Sequence, residues 1–308
     1  MTKLKAPFPY FGGKSRIASD FWEEVGPVKG YIEPFAGSIA VCLACPWPGR
    51  LKNEVINDLD GMITNAWRAI KFDPDAVKDH IDWPMSEIDL HSRSEWIDKQ
   101  RKGLESKLRA DPEYYNAKIA GWYIWGLGCS IGDAFIEQKK AIPSITGPRG
   151  VFGQNFDPDK VFKALSNRLK NTRITNGDWG RVVKESVLTY QTPVAVFLDP
   201  PYSSEDRHDT YKHESYSVAS EVNEWCKVWG NHEDVRIVLA GYAGDYDLPD
   251  DWKTIHWKTA GGYANIQRVG ESKQGKENAD KERLWVSPSC VSDKSSLLDQ
   301  FDIDDETQ

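Results

Sequence analysis

Residues 194–202 combine the pattern of a buried strand with groups that could bind a planar amine. The apolar, β-branched run 194–198 predicts a strand, and Pro200 and Pro201 end it immediately. A carboxylate (Asp199), two rigid prolines and an aromatic ring (Tyr202) therefore follow the carboxyl end of that strand. In open α/β sheets, ligands bind beyond this end of the strands.

Such a group of residues suits the transfer of a chemical group to an exocyclic amine. The Asp199 carboxylate and the Pro200 carbonyl can both accept hydrogen bonds from one NH2 group, which directs the nitrogen lone pair toward an electrophile. The Tyr202 ring can stack on the base that carries the amine. Taken alone, the same residues are equally consistent with a strand that ends in a proline turn with an ordinary acidic cap.

A second pattern of strand and turn occurs over residues 31–41. It predicts a strand that ends at Glu33, a turn at Gly37 and the start of a helix. Asp58 ends another short strand 21 positions after Gly37, a spacing at which an acid can bind ribose hydroxyls. Acids at strand ends are common, and the G-x-G-x-x-G fingerprint is missing, so each signal alone is weak.

Two further segments could contact a nucleoside cofactor. Residues 13–15 read Gly-Lys-Ser, but Phe8 stands where a phosphate-binding P-loop requires glycine, so we reject that motif. The backbone amides and the Lys14 ammonium could still close over a cofactor. Asp178 and Trp179 follow an Asn-Gly turn and could hold an adenine, although a plain turn with a core tryptophan is an equal alternative.

Composition indicates a globular protein with a large core. The 308 residues are 40% hydrophobic and 12% aromatic. The net charge is -8, so the chain as a whole lacks the excess of basic residues that is typical of nucleic-acid-binding proteins. No stretch is long and apolar enough to span a membrane, and the N-terminus has no secretory apolar region. The five scattered cysteines suit a reducing cytoplasm, and Cys42-x-x-Cys45 lacks the partners of a metal site.

The chain divides into four segments that differ in composition and in hydrophobic pattern. Residues 1–70 and 166–290 carry the strand patterns of an α/β domain, whereas residues 71–165 are polar and helix-rich, which indicates an insertion. Residues 203–216 are polar and predict a mobile loop beside the Asp-Pro-Pro-Tyr motif. Residues 291–308 predict an acidic, disordered tail.

Basic residues concentrate in and after the second half of the insertion. They could contact nucleic-acid phosphates, or they could form a solvated helix face. The candidates are Lys139, Lys140, Arg149, Lys163, Arg168 and Lys170, together with Arg207 in the polar loop.

Four motifs in order make the chain recognisable: Tyr-Phe-Gly-Gly-Lys at 10–14, Glu-Pro-Phe-x-Gly-Ser at 33–38, Asn-Asp-Leu-Asp at 57–60 and Asp-Pro-Pro-Tyr at 199–202. With them the chain resembles the N6-adenine-specific DNA methyltransferases of the Dam type, and more closely their phage-encoded relatives. The resemblance covers roughly residues 7–290. It implies a Rossmann-like, S-adenosylmethionine-dependent methyltransferase sheet with an inserted, mainly helical target-recognition region.

The resemblance also implies a role for each motif residue. Asp199, Pro200, Pro201 and Tyr202 would position and stack a flipped-out adenine of double-stranded DNA. Asp58 would bind the ribose of S-adenosylmethionine. The other cofactor-binding residues would be Tyr10, Lys14, Glu33, Pro34, Phe35, Gly37, Asp178 and Trp179. No metal is needed, and we expect a cytoplasmic monomer or weak dimer in a bacterial or phage-infected cell.

One position departs from the family pattern. Ile39 stands where these proteins usually have a second glycine, and its branched side chain should narrow the turn or shift the cofactor. Ile39 and the negative net charge of the chain support an alternative, which is that the protein is a catalytically inactive DNA-binding decoy of the same fold. A second alternative is cytosine-N4 methylation, which uses the same amine geometry, but such enzymes more often carry serine at the position of Asp199.

Overall fold

The computed structural model describes residues 4–10, 14–130, 135, 142–143, 150–153, 156–201, 209–256 and 282–290, with only the backbone for 209–216. Seven strands of this part of the chain form one sheet in the order β3-β2-β1-β4-β5-β7-β6. They are β1 (Gly30–Glu33), β2 (Asn53–Asp58), β3 (Thr172–Asn176), β4 (Val194–Leu198), β5 (Val235–Tyr242), β6 (Lys253–His256) and β7 (Glu282–Val286).

Helices occupy most of the chain between β2 and β3. Over the described residues, the α-helices are α1 (Ala18–Val25), α2 (Ala40–Leu43), α3 (Gly61–Phe72), α4 (Pro74–Asp79), α5 (Glu87–Ala110), α6 (Ala117–Cys129), α7 (Pro158–Leu169), α8 (Glu185–Leu188) and α9 (Asp209–Trp229). The fold class predicted from the sequence, an α/β sheet with a mainly helical insertion, is confirmed.

By its internal contacts the chain divides into two compact units. Unit 1 comprises Met1–Ala18, Phe35–Gly49 and Asn53–Val182, and unit 2 comprises Ser19–Pro34, Arg50–Lys52 and Val183–Gln308. The boundaries that we placed at residues 70, 165 and 290 remain predictions.

In unit 1, strands β2 and β3 pair in parallel, with Asp58 opposite Asn176 at their carboxyl ends. The helices after them begin at polar caps. Asp60 accepts a hydrogen bond from the Met62 amide at the start of α3, and Asn116 accepts one from the Ile119 amide in α6. Such caps satisfy the amides that a helix leaves open at its first turn.

Helix α3 fastens the helical segment to the strands of unit 1. Asn65 exchanges two hydrogen bonds with the backbone of Asn116, at 2.8 and 3.0 Å. Arg68 donates to the carbonyls of Leu108, at 3.2 Å, and of Asp111, at 3.1 Å. At the other end of α3, Lys71 donates to the Thr172 carbonyl of β3, at 2.7 Å, and accepts from the Ser166 hydroxyl at its own carbonyl.

In unit 2, β4 pairs in parallel with both β1 and β5. All five residues of β4 are buried, as its apolar run predicts. The Phe21 ring of α1 packs edge-on against Tyr31 of β1 and Phe197 of β4, with ring centroids 5.8 and 5.3 Å apart. Packing of this kind fixes the strands whose carboxyl ends carry Glu33 and Asp199.

Most strands lie where the sequence pattern predicts them, with two differences. Strand β6 (Lys253–His256) was not predicted, because its side chains are largely exposed and give no apolar run. The loop prediction for residues 203–216 is wrong for 209–216, where the backbone is already helical in α9. The predicted tail, 291–308, lies outside the described residues.

Candidate active site

The turn after β1 is fastened to the carboxyl end of β2 within unit 1. The Ala36 amide donates to the Asn57 carbonyl at 2.8 Å, and the Gly37 amide donates to Oδ2 of Asp58 at 2.9 Å. The Trp67 indole of α3 donates to the Gly37 carbonyl at 2.8 Å. The turn is thus held at both its amide and its carbonyl groups, which gives it one fixed shape.

Gly37 is required at its position for two reasons. Its φ of +48° lies in the left-handed region that favours glycine. A Cβ atom there would also lie 2.5 Å from Cε1 of Tyr10, so the tyrosine ring packs directly on the glycine backbone. Lys14, another predicted cofactor residue, is buried in the same unit with 4% of its surface exposed.

Ile39 adopts a glycine-like backbone conformation at the start of α2. Its φ of 46° and ψ of 33° are left-handed, and its side chain is fully buried. A β-branched residue in this conformation is strained. The turn therefore keeps the backbone shape that glycine would give it, and the isoleucine side chain packs into the core.

Asp58 is half-buried, and each of its two carboxylate oxygens accepts a hydrogen bond from one backbone amide. Besides the Gly37 amide on Oδ2, it accepts the Asp60 amide on Oδ1 at 2.8 Å. Burial raises the pKa of Asp58 to about 7, and the Asp60 charge adds to this effect, while the amide hydrogen bonds oppose it. Asp60 in turn accepts from the Arg101 guanidinium of α5 at 3.0 Å.

Three aromatic or apolar side chains of unit 1 could face a heterocycle. The Phe35 and Trp179 rings stack with centroids 5.8 Å apart and planes inclined by 28°. Leu59 directly follows Asp58 and is 68% exposed, a residue that the sequence reasoning missed. Asp178 is exposed and accepts the Gly180 amide at 3.0 Å, which shapes the turn after β3.

In unit 2, Glu33 is held at the carboxyl end of β1. The Tyr31 hydroxyl donates to Oε2 of Glu33 at 2.7 Å, because residues two apart on a strand share one face. Glu33 and Pro34 are both buried. A buried carboxylate next to a hydroxyl donor has one fixed orientation, which suits recognition of a polar ligand group.

The Asp-Pro-Pro motif directly follows the carboxyl end of β4, as the sequence predicts. Asp199 is half-buried, Pro200 is buried and Pro201 is exposed, while Tyr202 lies outside the described residues. In the register of β4 with β5, Leu198 lies opposite Leu239, so residues 240–242 continue alongside the motif.

The continuation of β5 brings an aromatic pair toward Asp199 that the sequence reasoning missed. A Cβ at Gly241 would lie 2.4 Å from the Tyr246 ring, and the Tyr246 and Trp285 rings pack edge-on at 5.3 Å. Burial raises the pKa of Tyr246, and the Asp199 carboxylate contributes to the rise. The signal in the sequence was Gly241 itself, a glycine at a strand end where backbone and ring approach closely.

The prediction that Arg168 contacts DNA is wrong. Its side chain is only 7% exposed and forms two hydrogen bonds to the Glu54 carboxylate, at 2.6 and 2.8 Å. It also donates to the Cys42 carbonyl at 2.6 Å. The charge of Arg168 is therefore neutralised inside unit 1, where a phosphate cannot reach it.

The other predicted DNA-binding residues divide into two groups. Lys163 of α7 and Lys170 at its C-terminal cap are exposed, so their ammonium groups can reach a ligand. Lys139, Lys140, Arg149 and Arg207 lie outside the described residues.

Neither a metal centre nor a membrane-spanning helix occurs in the part of the chain that the structure describes. No three His, Cys, Asp or Glu side chains among these residues come together as metal ligands would. Over the same residues, no helix combines the length and apolar character that crossing a membrane requires.

The strand ends and the glycine turn have the arrangement of a methyltransferase of the Rossmann-like class. The sequence profile of the D12 class N6 adenine-specific DNA methyltransferases matches residues 10–252, and the chain belongs to this family. It is also similar to the Type II methyltransferase M.MjaIII of Methanocaldococcus jannaschii, with 26% identity over 209 residues, 65% of this chain and 70% of that protein. The chain is therefore an adenine-specific DNA methyltransferase, and its reaction is methylation of adenine N6 in DNA.

Proposed function

We propose that the chain takes its methyl group from S-adenosylmethionine, which methyltransferases of this kind generally use. The observation that carries the proposal is the Gly37 turn, which the Tyr10 ring and the Asp58 carboxylate hold in a fixed shape. The residues proposed to bind the cofactor are Tyr10, Lys14, Glu33, Pro34, Phe35, Gly37, Asp58, Asp178 and Trp179.

These residues fit the chemistry of such a group. A carboxylate at the end of β2 can accept hydrogen bonds from ribose hydroxyls, and the stacked rings of Phe35 and Trp179 offer apolar surface to an adenine. The bound cofactor would supply an electrophilic methyl group on a sulfonium sulfur. Leu59, exposed beside Asp58, adds an apolar contact of the kind that a heterocycle needs.

The Asp199 carboxylate and the Pro200 carbonyl would position the target amine. Each accepts one hydrogen of the NH2 group, so the N6 lone pair is directed at the methyl carbon and not into the ring. As N6 takes the methyl group, the methyl–sulfur bond would break, the neutral thioether would leave, and positive charge would develop on N6. The Asp199 carboxylate would stabilise this charge until N6 loses one of its hydrogens as a proton. Holding the two reactants in line supplies much of the rate enhancement.

The target adenine must leave the stack of double-stranded DNA before it can react, which costs a few kcal/mol of unstacking and unpairing. Tyr202 would stack on the extruded base and offset part of this cost. Lys163 and Lys170 would contact phosphates. We propose the same role for Lys139, Lys140, Arg149 and Arg207.

Further features of the proposal rest on the resemblance to the Dam type and its phage-encoded relatives. The insertion over residues 71–165 would read the target sequence through base edges in the major groove. A DNA-modifying enzyme works where DNA is, so we propose the cytoplasm of a bacterial or phage-infected cell. A monomer or weak dimer and a role in restriction-modification complete the proposal.

Calorimetry followed by a transfer assay tests these proposals. The protein is titrated with S-adenosylmethionine and then incubated with the labelled cofactor and duplex DNA, which is digested to nucleosides. We expect cofactor binding and label in N6-methyladenine. Label in N4-methylcytosine would instead identify the cytosine enzyme, and DNA binding without any cofactor binding would identify the inactive decoy.

A further inference from the structure

Asp60, the last residue of the Asn-Asp-Leu-Asp motif, lies next to the proposed ribose acceptor and has no role yet in the proposed function. Its backbone amide donates to Oδ1 of Asp58 at 2.8 Å. Its carboxylate accepts the Met62 amide at 2.8 Å and so caps α3. Because a carboxyl carbon of aspartate is at most about 4 Å from its own amide nitrogen, the Asp60 charge lies within about 7 Å of Asp58 Oδ1.

The Asp60 carboxylate is paired with a cation from the helical insertion. Nη1 of Arg101 in α5 lies 3.0 Å from Oδ1 of Asp60. The two side chains are 32% and 27% exposed, and an ion pair of that exposure contributes little to folding stability. Its charges can therefore be changed one at a time in a protein that still folds.

The packing of α5 against the start of α3 holds Arg101 in place. Residues 101, 105 and 108 share one face of α5, since they recur at helical spacing. A Cβ at Gly61 would lie 2.7 Å from Cγ of Glu105, so the two helices approach closely there. The Leu108 carbonyl accepts from Arg68 of α3 at 3.2 Å. The position of Arg101 beside Asp60 thus depends on helix packing and not on the ion pair alone.

The charges of this group act on Asp58. At physiological salt, charges interact over roughly 8 Å, so the Asp60 carboxylate is within range. It repels the Asp58 carboxylate and contributes to the raised pKa of Asp58. Arg101 adds a positive charge to the same group and offsets this repulsion. A protonated acid is itself a donor, so the ionised form of Asp58 is the better acceptor for ribose hydroxyls.

We propose that Arg101 and Asp60 are positioning residues for cofactor binding: Arg101 balances the Asp60 carboxylate and so keeps Asp58 available to the ribose hydroxyls of S-adenosylmethionine. The proposal rests on the proposed cofactor and deepens it. Neither residue has to touch the ligand, because both act through Asp58. Since Arg101 lies in the predicted target-recognition insertion, that segment contributes to cofactor affinity by its charge.

Two single variants test the proposal, because they should change cofactor affinity at pH 6 in opposite directions. Arg101→Gln leaves the Asp60 charge unbalanced, so affinity for S-adenosylmethionine should fall roughly 2- to 5-fold, the size of one partly exposed charge interaction. Asp60→Asn removes the repelling charge and keeps an oxygen that can cap α3, so affinity should rise by a similar factor. The double variant should bind nearly as wild type does. A merely structural ion pair would lose affinity on removal of either partner.

The pH dependence separates a charge effect from a structural one. At pH 8.5, above the Asp58 pKa of about 7, Asp58 is ionised in wild type and in the variants, so their affinities should converge. At pH 6 their affinities should differ most, because the fraction of ionised Asp58 then depends on the neighbouring charges. A structural role would change affinity by the same factor at both pH values.

Other titratable groups surround Asp58, and they are the same in wild type and variants. Glu105 of α5 packs on the start of α3, and Arg181, after β3, donates at 2.8 Å to the carbonyl of Asn176, the residue opposite Asp58. Burial raises the pKa of the Tyr123 phenol in α6, and the acids at 60 and 58 add to this. Comparison at one pH cancels the titration of these groups and of the ligand. The remaining titratable residues of the proposed cofactor site in unit 1 are Tyr10, Lys14 and Asp178.

Two control variants belong to the same helix. Lys99→Gln removes an equal charge from α5, where Lys99 pairs with Glu95 at 2.7 Å, and should leave cofactor affinity unchanged at both pH values. Arg101→Lys keeps the positive charge beside Asp60 and should bind the cofactor nearly as wild type does. Loss of affinity in Lys99→Gln equal to that in Arg101→Gln would reduce the effect to net charge and overturn the assignment to Arg101.

The outcomes separate this inference from the proposed function. Loss of affinity in both single variants, no change in either at pH 6, or an Arg101→Gln loss that persists at pH 8.5 would overturn the inference and leave the proposed function intact. If Arg101→Gln does not fold, Asp60→Asn decides alone, and the absence of a gain at pH 6 overturns the inference. Failure of wild type to bind S-adenosylmethionine would overturn the proposed cofactor and this inference together.

Discussion

The amide of Gly37 donates a hydrogen bond of 2.9 Å to Oδ2 of Asp58, 21 residues further along the chain. This bond joins the turn after β1 to the end of β2. Asp58 thus has a structural partner within the fold itself, and its second oxygen accepts the Asp60 amide. The residue proposed to bind the ribose also maintains the turn, so its ionisation affects both stability and binding.

We expect the contribution of Asp58 to the stability of the protein to fall as pH rises from about 4 to about 7. The folded-state pKa of Asp58, about 7, is raised above its ordinary value of 3.8. Folding therefore favours the protonated acid, and the unfolded chain releases that proton first. Urea unfolding at pH 5 and pH 8 should show a smaller pH effect in Asp58→Asn, by roughly 2 kcal/mol. Equal pH effects in both proteins would contradict the assignment.

Cofactor affinity should change with pH in the opposite direction. Ribose hydroxyls donate to the ionised Asp58 carboxylate, so binding of S-adenosylmethionine should strengthen as pH rises through about 7. Calorimetry across pH 6–8 measures this change. The Asp58→Asn variant should bind more weakly and show a flatter profile, and a wild-type profile without any rise would argue against Asp58 as the acceptor.

Asp199→Ala should reduce methyl transfer roughly 10²- to 10³-fold or more, since it removes a group that orients the amine and stabilises its developing charge. Melting temperature and cofactor affinity should stay close to wild type, because Asp199 is only half-buried. Asp250→Ala, which changes an exposed acid of the same unit, is the control and should keep full activity. Single-turnover transfer to duplex DNA is the measurement, and an active Asp199→Ala protein would remove Asp199 from the reaction.

Arg168→Met should destabilise the protein by about 3–5 kcal/mol, because it leaves the buried Glu54 carboxylate without its partner. Denaturant unfolding measures the loss. Arg168→Met combined with Glu54→Leu should recover much of it, since no unpaired charge then remains. Weaker DNA binding without any loss of stability would instead restore Arg168 to the phosphate contacts.

Lys163 and Lys170 should affect DNA binding and leave stability unchanged. Both are exposed, and removing one lysine–phosphate interaction should reduce the magnitude of the slope of log K against log salt concentration by roughly 0.9. The double variant Lys163→Gln with Lys170→Gln should therefore reduce that magnitude by about 1.8. Lys227→Gln, on α9 of unit 2, is the control. An unchanged slope in the double variant would remove both lysines from the interface.

The strand ends could be predicted from sequence because they depend on local patterns. Short apolar runs followed by Glu33, Asp58 and Asp199 indicate strands that end at acids, and the structure has strands there. The sequence also showed that Ile39 replaces the glycine usual in the family, although it did not show that the backbone of Ile39 is left-handed. Backbone conformation at one residue depends on the packing of its neighbours, which a single sequence does not give.

Other features depend on partners that are distant in sequence. Arg168 is a basic residue in a basic segment, and only its bond to Glu54, 114 positions away, shows that it is neutralised. Tyr123 lies in an aromatic segment that indicates core packing, and only its buried hydroxyl distinguishes it from a phenylalanine. Tyr246 approaches Asp199 through the register of β4 with β5. None of these relationships leaves a periodic signal along the chain.

The contacts of α3 also limit how this enzyme can be re-engineered. Asn65, Arg68 and Lys71 of that helix bond to the backbone of the segments that follow, through to β3. A recognition segment transplanted from a relative without its own α3 would meet donors and acceptors with no counterpart. The unit that evolution or a designer can exchange therefore begins at residue 61, before the boundary that we predicted at residue 70, and it includes Trp67, whose indole holds the Gly37 turn.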